Sequence, residues 1–117
     1  MNNTQRIHAD LMLQSSFNDF DAPKVLADLE AHENFWRGFI FNSMNDLITL
    51  RDLPGDFNNA DTLWILSVKG KENELWDLAQ TWKADELDWM PESETSALLG
   101  TGENRNNPKA LLRVWWD

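Results

Sequence analysis

The feature that most constrains the fold is a short apolar run, Thr62 to Val68, followed at once by a helical pattern. The run is rich in β-branched and aromatic residues and is closed by Lys69-Gly70-Lys71, which is typical of a buried strand. Apolar residues then recur at i, i+3, i+4 and i+7 and form one stripe: Leu75, Leu78, Ala79 and Trp82. The pattern predicts a central strand covered by a helix.

Two more helices are predicted near the start of the chain. The first, Asn3 to Gln14, has a weak helical stripe, although the same residues also alternate as a strand would. The second begins at Asp21, which can cap a helix, and has Pro23 in its early turn. Its acidic side faces outward.

The remaining segments predict strands and loops. Phe39 to Phe41 and Leu47 to Leu50 predict two strands joined by a polar turn. A helix from Ser43 to Leu53 is the competing interpretation, because Ser43 can cap it. Glu92 to Pro108 is polar and contains glycine, which predicts a long mobile loop. Ala110 to Trp116 predicts a final strand.

Together these elements predict a single acidic α+β domain spanning residues 1–117, with a three- to four-stranded, mainly antiparallel sheet and helices packed on one face. A chain of 117 residues with 42% hydrophobic content can bury a core without disulfides, and it has no cysteine. No apolar run approaches the roughly 18 residues of a membrane span, and no signal-peptide pattern is present. We therefore expect a cytoplasmic protein that does not bind membranes.

The chain is strongly acidic. Twenty Asp and Glu residues against ten Lys and Arg residues give a formal charge of −10. This charge repels phosphate backbones, so direct binding to nucleic acid is not expected and basic proteins are the natural partners. A surface that is acidic only for solubility is the other interpretation.

Many of the acids follow the central strand. If one helix ran from Glu72 to Met90, four carboxylates would form a ladder about 21 Å long: Glu74, Asp77, Asp85 and Asp88. The same geometry places Glu86 on the apolar side, so a break near Ala84 is the alternative.

No motif for catalysis, cofactor binding or metal binding is present. His8 and His32 lie far apart, and no zinc-binding histidine spacing occurs. Gly100-Thr101-Gly102 lacks the remaining residues of a phosphate-binding loop. A pair of carboxylates could serve a hydrolase, but twenty acids place some pair close by chance. We expect no catalytic residues, no cofactor and no metal.

A small, cysteine-free, tryptophan-rich chain with acidic helices resembles the DNA-mimic proteins, in particular the small neisserial DNA mimics that bind the bacterial histone-like protein HU. The resemblance lies in size, charge and overall character, with no diagnostic motif. It implies a monomer whose carboxylates stand in for phosphates. It also implies binding to the DNA-binding face of HU, modulation of the DNA binding of HU, and association with the nucleoid through this partner.

Thirteen carboxylates are the candidate partner-binding residues: Asp19, Asp21, Asp28, Glu30, Glu33, Asp52, Asp56, Asp61, Glu72, Glu74, Asp77, Asp85 and Asp88. The alternative function is an immunity protein that inhibits a basic nuclease toxin through the same surface. A pulldown that recovers HU or a nuclease separates these two hypotheses. A small hydrolase is the third hypothesis, and it would depend on one residue and not on net charge.

Overall fold

In a computed structural model, residues 1–16, 18–100 and 107–117 of the protein are described, and they confirm the predicted α+β fold. The helices are α1 (Asn3–Leu13), α2 (Ala22–Ala31), α3 (Asp46–Asp52), α4 (Glu72–Ala79) and α5 (Glu92–Leu99). The strands are β1 (Trp36–Asn42), β2 (Thr62–Ser67), β3 (Glu86–Trp89) and β4 (Leu111–Trp115).

The four strands form one antiparallel sheet in the order β1-β2-β4-β3. Strand β2 pairs with β1 on one side and β4 on the other, so the predicted central strand is confirmed. Ile65 of β2 lies opposite Phe39 of β1 and Leu112 of β4. All three side chains are buried on the same face, which we call the core face.

Helices α1, α2 and α4 supply the apolar residues that cover the core face. Met12, Leu29 and Leu75, one from each helix, are fully buried in a single cluster with the sheet residues. Trp82, which follows α4, is also buried there, as the apolar stripe predicted. The helices therefore form one layer, and their outward sides form its solvent-facing surface.

The first two helices begin where the sequence predicts. The side chain of Asn2 accepts a 2.8 Å hydrogen bond from the backbone N–H of Gln5 at the start of α1. Asp21 accepts a 3.2 Å hydrogen bond from the N–H of Lys24, so it caps α2 as expected. Such caps satisfy backbone donors that have no partner within the helix.

Helix α1 also closes the outer edge of β1. The Gln5 side chain donates to the carbonyl of Phe39 at 2.7 Å and accepts from its N–H at 2.9 Å. These two bonds are the ones that a neighbouring strand would make. At Phe39, the edge of β1 thus has its outward N–H and C=O groups satisfied by a side chain.

The predicted strand at Leu47–Leu50 is wrong, and the competing helix interpretation is closer. These residues lie in α3, which is capped by Asn45 and not by Ser43. The only sheet neighbour of β1 among the described residues is β2, and Gln5 bonds the other edge of β1. A second strand following β1 would therefore have no edge to pair with at this position.

Of the two alternatives for the segment after β2, the unbroken helix from Glu72 to Met90 does not form, and the chain breaks before Ala84. Helix α4 ends at Ala79, a 3-10 turn follows, and Lys83 adopts a left-handed conformation with φ of 58°. The chain then continues as β3, in which Leu87 and Trp89 share the core face with their β4 partners. Pairing with β4 outweighs the local helical pattern.

The prediction of a mobile loop from Glu92 to Pro108 is wrong for its first half. Residues 92–99 form α5, which has acidic residues in its first turn and ends at Gly100 in the left-handed conformation. Negative charge at a helix N-terminus is favourable, and glycine tolerates this ending. The rest of the predicted loop falls mainly on residues 101–106, which lie outside the described residues.

Candidate functional site

Six of the candidate carboxylates lie on two neighbouring parts of the helical layer. Helix α4 packs against the 3-10 turn Glu33–Phe35, which directly follows α2. The acids of α2, this turn and α4 therefore lie on adjoining elements of the helical layer. We call these residues the helical acids: Asp28, Glu30, Glu33, Glu72, Glu74 and Asp77.

Asp28 links the two parts of this layer. Its carboxylate accepts hydrogen bonds from Lys24 at 2.8 Å and from the indole N–H of Trp82 at 2.9 Å. Burial raises the pKa of Asp28, but the hydrogen bonds from Lys24 and Trp82 outweigh it, and the pKa is lowered overall. Asp28 is therefore ionised at neutral pH and held in a fixed position.

A second group lies around the C-terminal end of β4. The carboxylate of Asp85 accepts a 2.7 Å hydrogen bond from the N–H of Asp117, and Asp61 accepts one from the indole of Trp115 at 3.2 Å. The Asn18 side chain donates to the backbone oxygen of Asp117. This contact brings the next acids along the chain, Asp19 and Asp21, to the same end of β4. We call this group the sheet-end acids: Asp19, Asp21, Asp61 and Asp85.

A cleft of about 520 Å³ lies between the start of α2 and the turn after α4. Asp19 and Asp21 line one side of it, and Trp82 lies on the other. The indole N–H of Trp82 also donates to Asp28, so Trp82 contacts one of the helical acids and also lines the cleft that contains Asp19 and Asp21. Two cations, Lys24 and Lys83, also line it.

Ion pairs divide the thirteen candidates into two sets. Five of them contact a cation among the described residues: Asp28, Glu30, Glu33, Asp52 and Asp88. The other eight make no ion pair within that part of the chain: Asp19, Asp21, Asp56, Asp61, Glu72, Glu74, Asp77 and Asp85. No described cation lies in direct contact with the carboxylates of this second set, which leaves their oxygens available to a basic partner.

Several of the unpaired carboxylates are positioned by neutral donors. Glu72 accepts from the N–H of Gly70, and Asp21 accepts from the N–H of Lys24. Asp61 and Asp85 are held by an indole N–H and a backbone N–H, as described above. A neutral donor restricts the side chain without cancelling its charge, so these groups are preorganised anions.

Three candidates lie apart from these two groups. Asp52 is on α3, where Arg51 and then Asn59 donate hydrogen bonds that lower its pKa to about 2. Asp56 follows in the turn after α3, in a left-handed conformation. Asp88 lies on the face of the sheet opposite the core.

The predicted four-residue ladder does not form, because its members lie on different elements. Glu74 and Asp77 are on α4, whereas Asp85 precedes β3 and Asp88 lies within it. Arg113 of β4 contacts Asp88 at 3.2 Å and Glu86 at 2.7 Å. Glu86 was not among the candidates, although its alternation with apolar Leu87 and Trp89 is a strand signal that the sequence contains.

The described residues contain no group of three or more His, Cys, Asp or Glu side chains placed to hold a metal ion. Within the same residues, no helix combines the length and the apolar character needed to cross a membrane.

Comparison with known proteins gives no match to a family model, to a curated protein sequence or to a solved structure.

Proposed function

We propose that this protein is a DNA mimic that occupies the DNA-binding face of a basic DNA-binding protein, with histone-like HU as the partner. The observation that carries the proposal is the set of seven helical and sheet-end acids that have no ion pair among the described residues. Most of these side chains are exposed, and the eighth candidate without such a pair, Asp56, lies apart from both groups and outside the proposed surface. The helical and sheet-end acids supply the anionic surface that a DNA-binding face recognises.

Charge density determines how such a mimic would compete with DNA. The molecule is 42 Å long, and a duplex of that length carries about 25 phosphate charges. The protein has a net charge of −10. Its contacts must therefore be drawn from several elements, and its binding should release fewer counterions than a duplex does.

The preorganised carboxylates compensate for part of the lower charge density of the protein relative to DNA. Holding a charged side chain in place before binding removes some of the entropy cost of association. Asp61 and Asp85, fixed by N–H donors, meet this condition, and so does Glu72. A flexible acidic tail of equal charge would lack this advantage.

Two variants with equal charge test the proposal by calorimetric titration into HU. The surface variant carries Asp19→Asn, Glu74→Gln and Asp77→Asn, and the control variant carries Asp56→Asn, Glu92→Gln and Glu94→Gln. Each neutralises three carboxylates that make no hydrogen bond or ion pair in the described part of the chain, so neither removes such a contact. Both variants have a net charge of −7 instead of −10.

We expect the wild-type protein to bind HU and the surface variant to bind more weakly. Exposed ion pairs contribute about 0.2–1 kcal/mol each, so three of them predict a loss of roughly 3- to 150-fold. The control variant should stay within about twofold of wild type, because its acids lie outside the proposed surface. Absence of wild-type binding would contradict the proposal, and so would equal loss in the two variants.

A further inference from the structure

The two edges of the sheet differ in the hydrogen bonding of their outward backbone groups. The edge of β1 is closed at Phe39 by the Gln5 side chain, as described above. In β3, the N–H of Met90 donates to the carbonyl of Leu111 at 2.9 Å, and Asp88 lies opposite Arg113 in the same register. Because antiparallel pairing alternates, the backbone groups of Leu87 and Trp89 point away from β4. No hydrogen bond between described residues reaches these groups.

Acidic side chains flank this open edge. The Glu86 and Asp88 side chains are 52% and 57% exposed, and both lie on the face opposite the core. Arg113 contacts both, so these three residues carry a net negative charge. Asp85, directly before β3, is also exposed.

The other side of the β3 edge is apolar. Leu87 and Trp89 point toward the core face but remain partly exposed. The Trp89 ring stacks on Trp76 of α4, with ring centroids 6.1 Å apart. The edge thus presents acids on one face and apolar side chains on the other, and between them lie backbone groups that no described residue bonds.

We infer that the β3 edge accepts an extended basic segment of the partner as an added strand. An added strand would bond the outward N–H and C=O groups of Leu87 and Trp89. Its side chains beside Glu86 and Asp88 would be lysine or arginine, because opposite charges across a strand pair are favourable. Its alternate side chains, beside Leu87 and Trp89, would be apolar.

Charge repulsion disfavours pairing with the β3 edge of a second copy of this chain. Pairing two β3 edges would bring acidic residues beside acidic residues, and such like-charge pairs are destabilising. The occupant is therefore a basic strand whose charged and apolar residues alternate. This inference rests on the proposed function, since it assigns an edge of the molecule to the same basic partner.

A short synthetic peptide of alternating lysine and valine tests the inference without a full partner. Binding should slow the amide hydrogen exchange of Leu87 and Trp89, because added hydrogen bonds would protect these groups. A peptide of the same composition, with lysines and valines in separate blocks, should bind at least roughly tenfold more weakly. N-methylation of the valines, whose N–H groups would face Leu87 and Trp89 in an antiparallel pairing, should have a similar effect, and it leaves the protein unchanged.

A pair of protein variants provides the matched control. Leu87→Pro removes an outward N–H that β4 does not use, whereas Leu87→Ala removes most of the same side chain and keeps the N–H. We expect Leu87→Pro to bind the alternating peptide roughly tenfold more weakly than Leu87→Ala does. Equal binding by these variants would overturn the inference, as would tight binding of the N-methylated peptide.

The peptide and calorimetric experiments distinguish failure of the β3-edge inference from failure of the proposed function. If the wild-type protein passes the calorimetric test above but does not bind the alternating peptide, the edge inference fails and the proposed function stands. If it fails the calorimetric test but binds the peptide at the β3 edge, the proposed function fails and the edge remains a site for basic strands.

Discussion

The Gln5 side chain should contribute measurably to stability, because it replaces a neighbouring strand at the edge of β1. It makes two hydrogen bonds to the backbone of Phe39, at 2.7 and 2.9 Å. The substitution Gln5→Leu keeps a side chain of similar size and removes both bonds. The side chain is only partly buried, so water can reach part of the freed backbone.

The expected magnitude follows from the number of bonds. A hydrogen bond of this kind contributes about 0.5–1.5 kcal/mol net, so the loss of two should destabilise the protein by about 1–3 kcal/mol. With a urea m-value of about 2 kcal/mol per molar, the unfolding midpoint should fall by roughly 0.5–1.5 M.

Urea denaturation followed by tryptophan fluorescence measures this change. Gln14→Leu, at the exposed end of the same helix, is the control and should remain within about 0.5 kcal/mol of wild type. In addition, the Phe39 amide should exchange faster in Gln5→Leu than in wild type. If Gln5→Leu unfolds at the wild-type midpoint, the Gln5 side chain does not act as a substitute strand.

Three further predictions concern the core, acid stability and the acidic layer. Leu75→Ala should destabilise the protein by about 2–5 kcal/mol in urea denaturation, because Leu75 is fully buried; a neutral result would contradict the core assignment. The lowered pKa of Asp52, about 2 against an ordinary 3.8, contributes stability that is present above pH 4 and lost as the pH falls through 2. Acid titration of stability should therefore show wild type converging on Asp52→Asn as the pH falls from 4 to 2, and a constant difference would refute this. Trp82→Phe should raise the pKa of Asp28, because the substitution removes one of the hydrogen bonds that stabilise the charged carboxylate. NMR titration of the Asp28 carboxyl carbon measures this pKa, and an unchanged value would show that the hydrogen bond from Trp82 is not significant.

The sequence predicts the parts of the fold whose signal is local. Asp21 and Pro23 mark the start of α2 because capping and the fixed φ of proline act within one helical turn. The run Thr62–Val68 identifies the central strand because it is apolar on both sides and bounded by glycine and lysine. These features need no knowledge of distant residues.

The sequence does not predict the parts that depend on pairing between distant residues. The alternation from Glu86 to Trp89 is a local strand signal, but no local signal identifies Val114 as the partner of Leu87 on the core face. Helix α3 replaces a predicted strand partly because Gln5, more than thirty residues earlier, bonds the free edge of β1. Long-range contacts of this kind override local propensity.

The same distinction applies to the candidate surface. The acidic character of α2 and α4 is evident from the sequence, since the periodicity places Glu74 and Asp77 outward. The proximity of Asp61 to Asp85 is not, because the end of β4 brings their segments together. The ladder prediction failed because it extended a local helix through a segment whose partner is a strand.

The most direct test of the DNA-mimic proposal is a competition between this protein and a fluorescently labelled duplex for HU, followed by fluorescence anisotropy. The proposal predicts that wild-type protein releases the duplex at low salt and that the surface variant requires more protein to do so. Its complex with HU should also lose affinity less steeply with salt than the complex between HU and DNA does, because separated carboxylates condense fewer counterions than a duplex. If the wild-type protein leaves the duplex bound at low salt, or the surface variant releases it equally well, the protein does not act on HU as a DNA mimic.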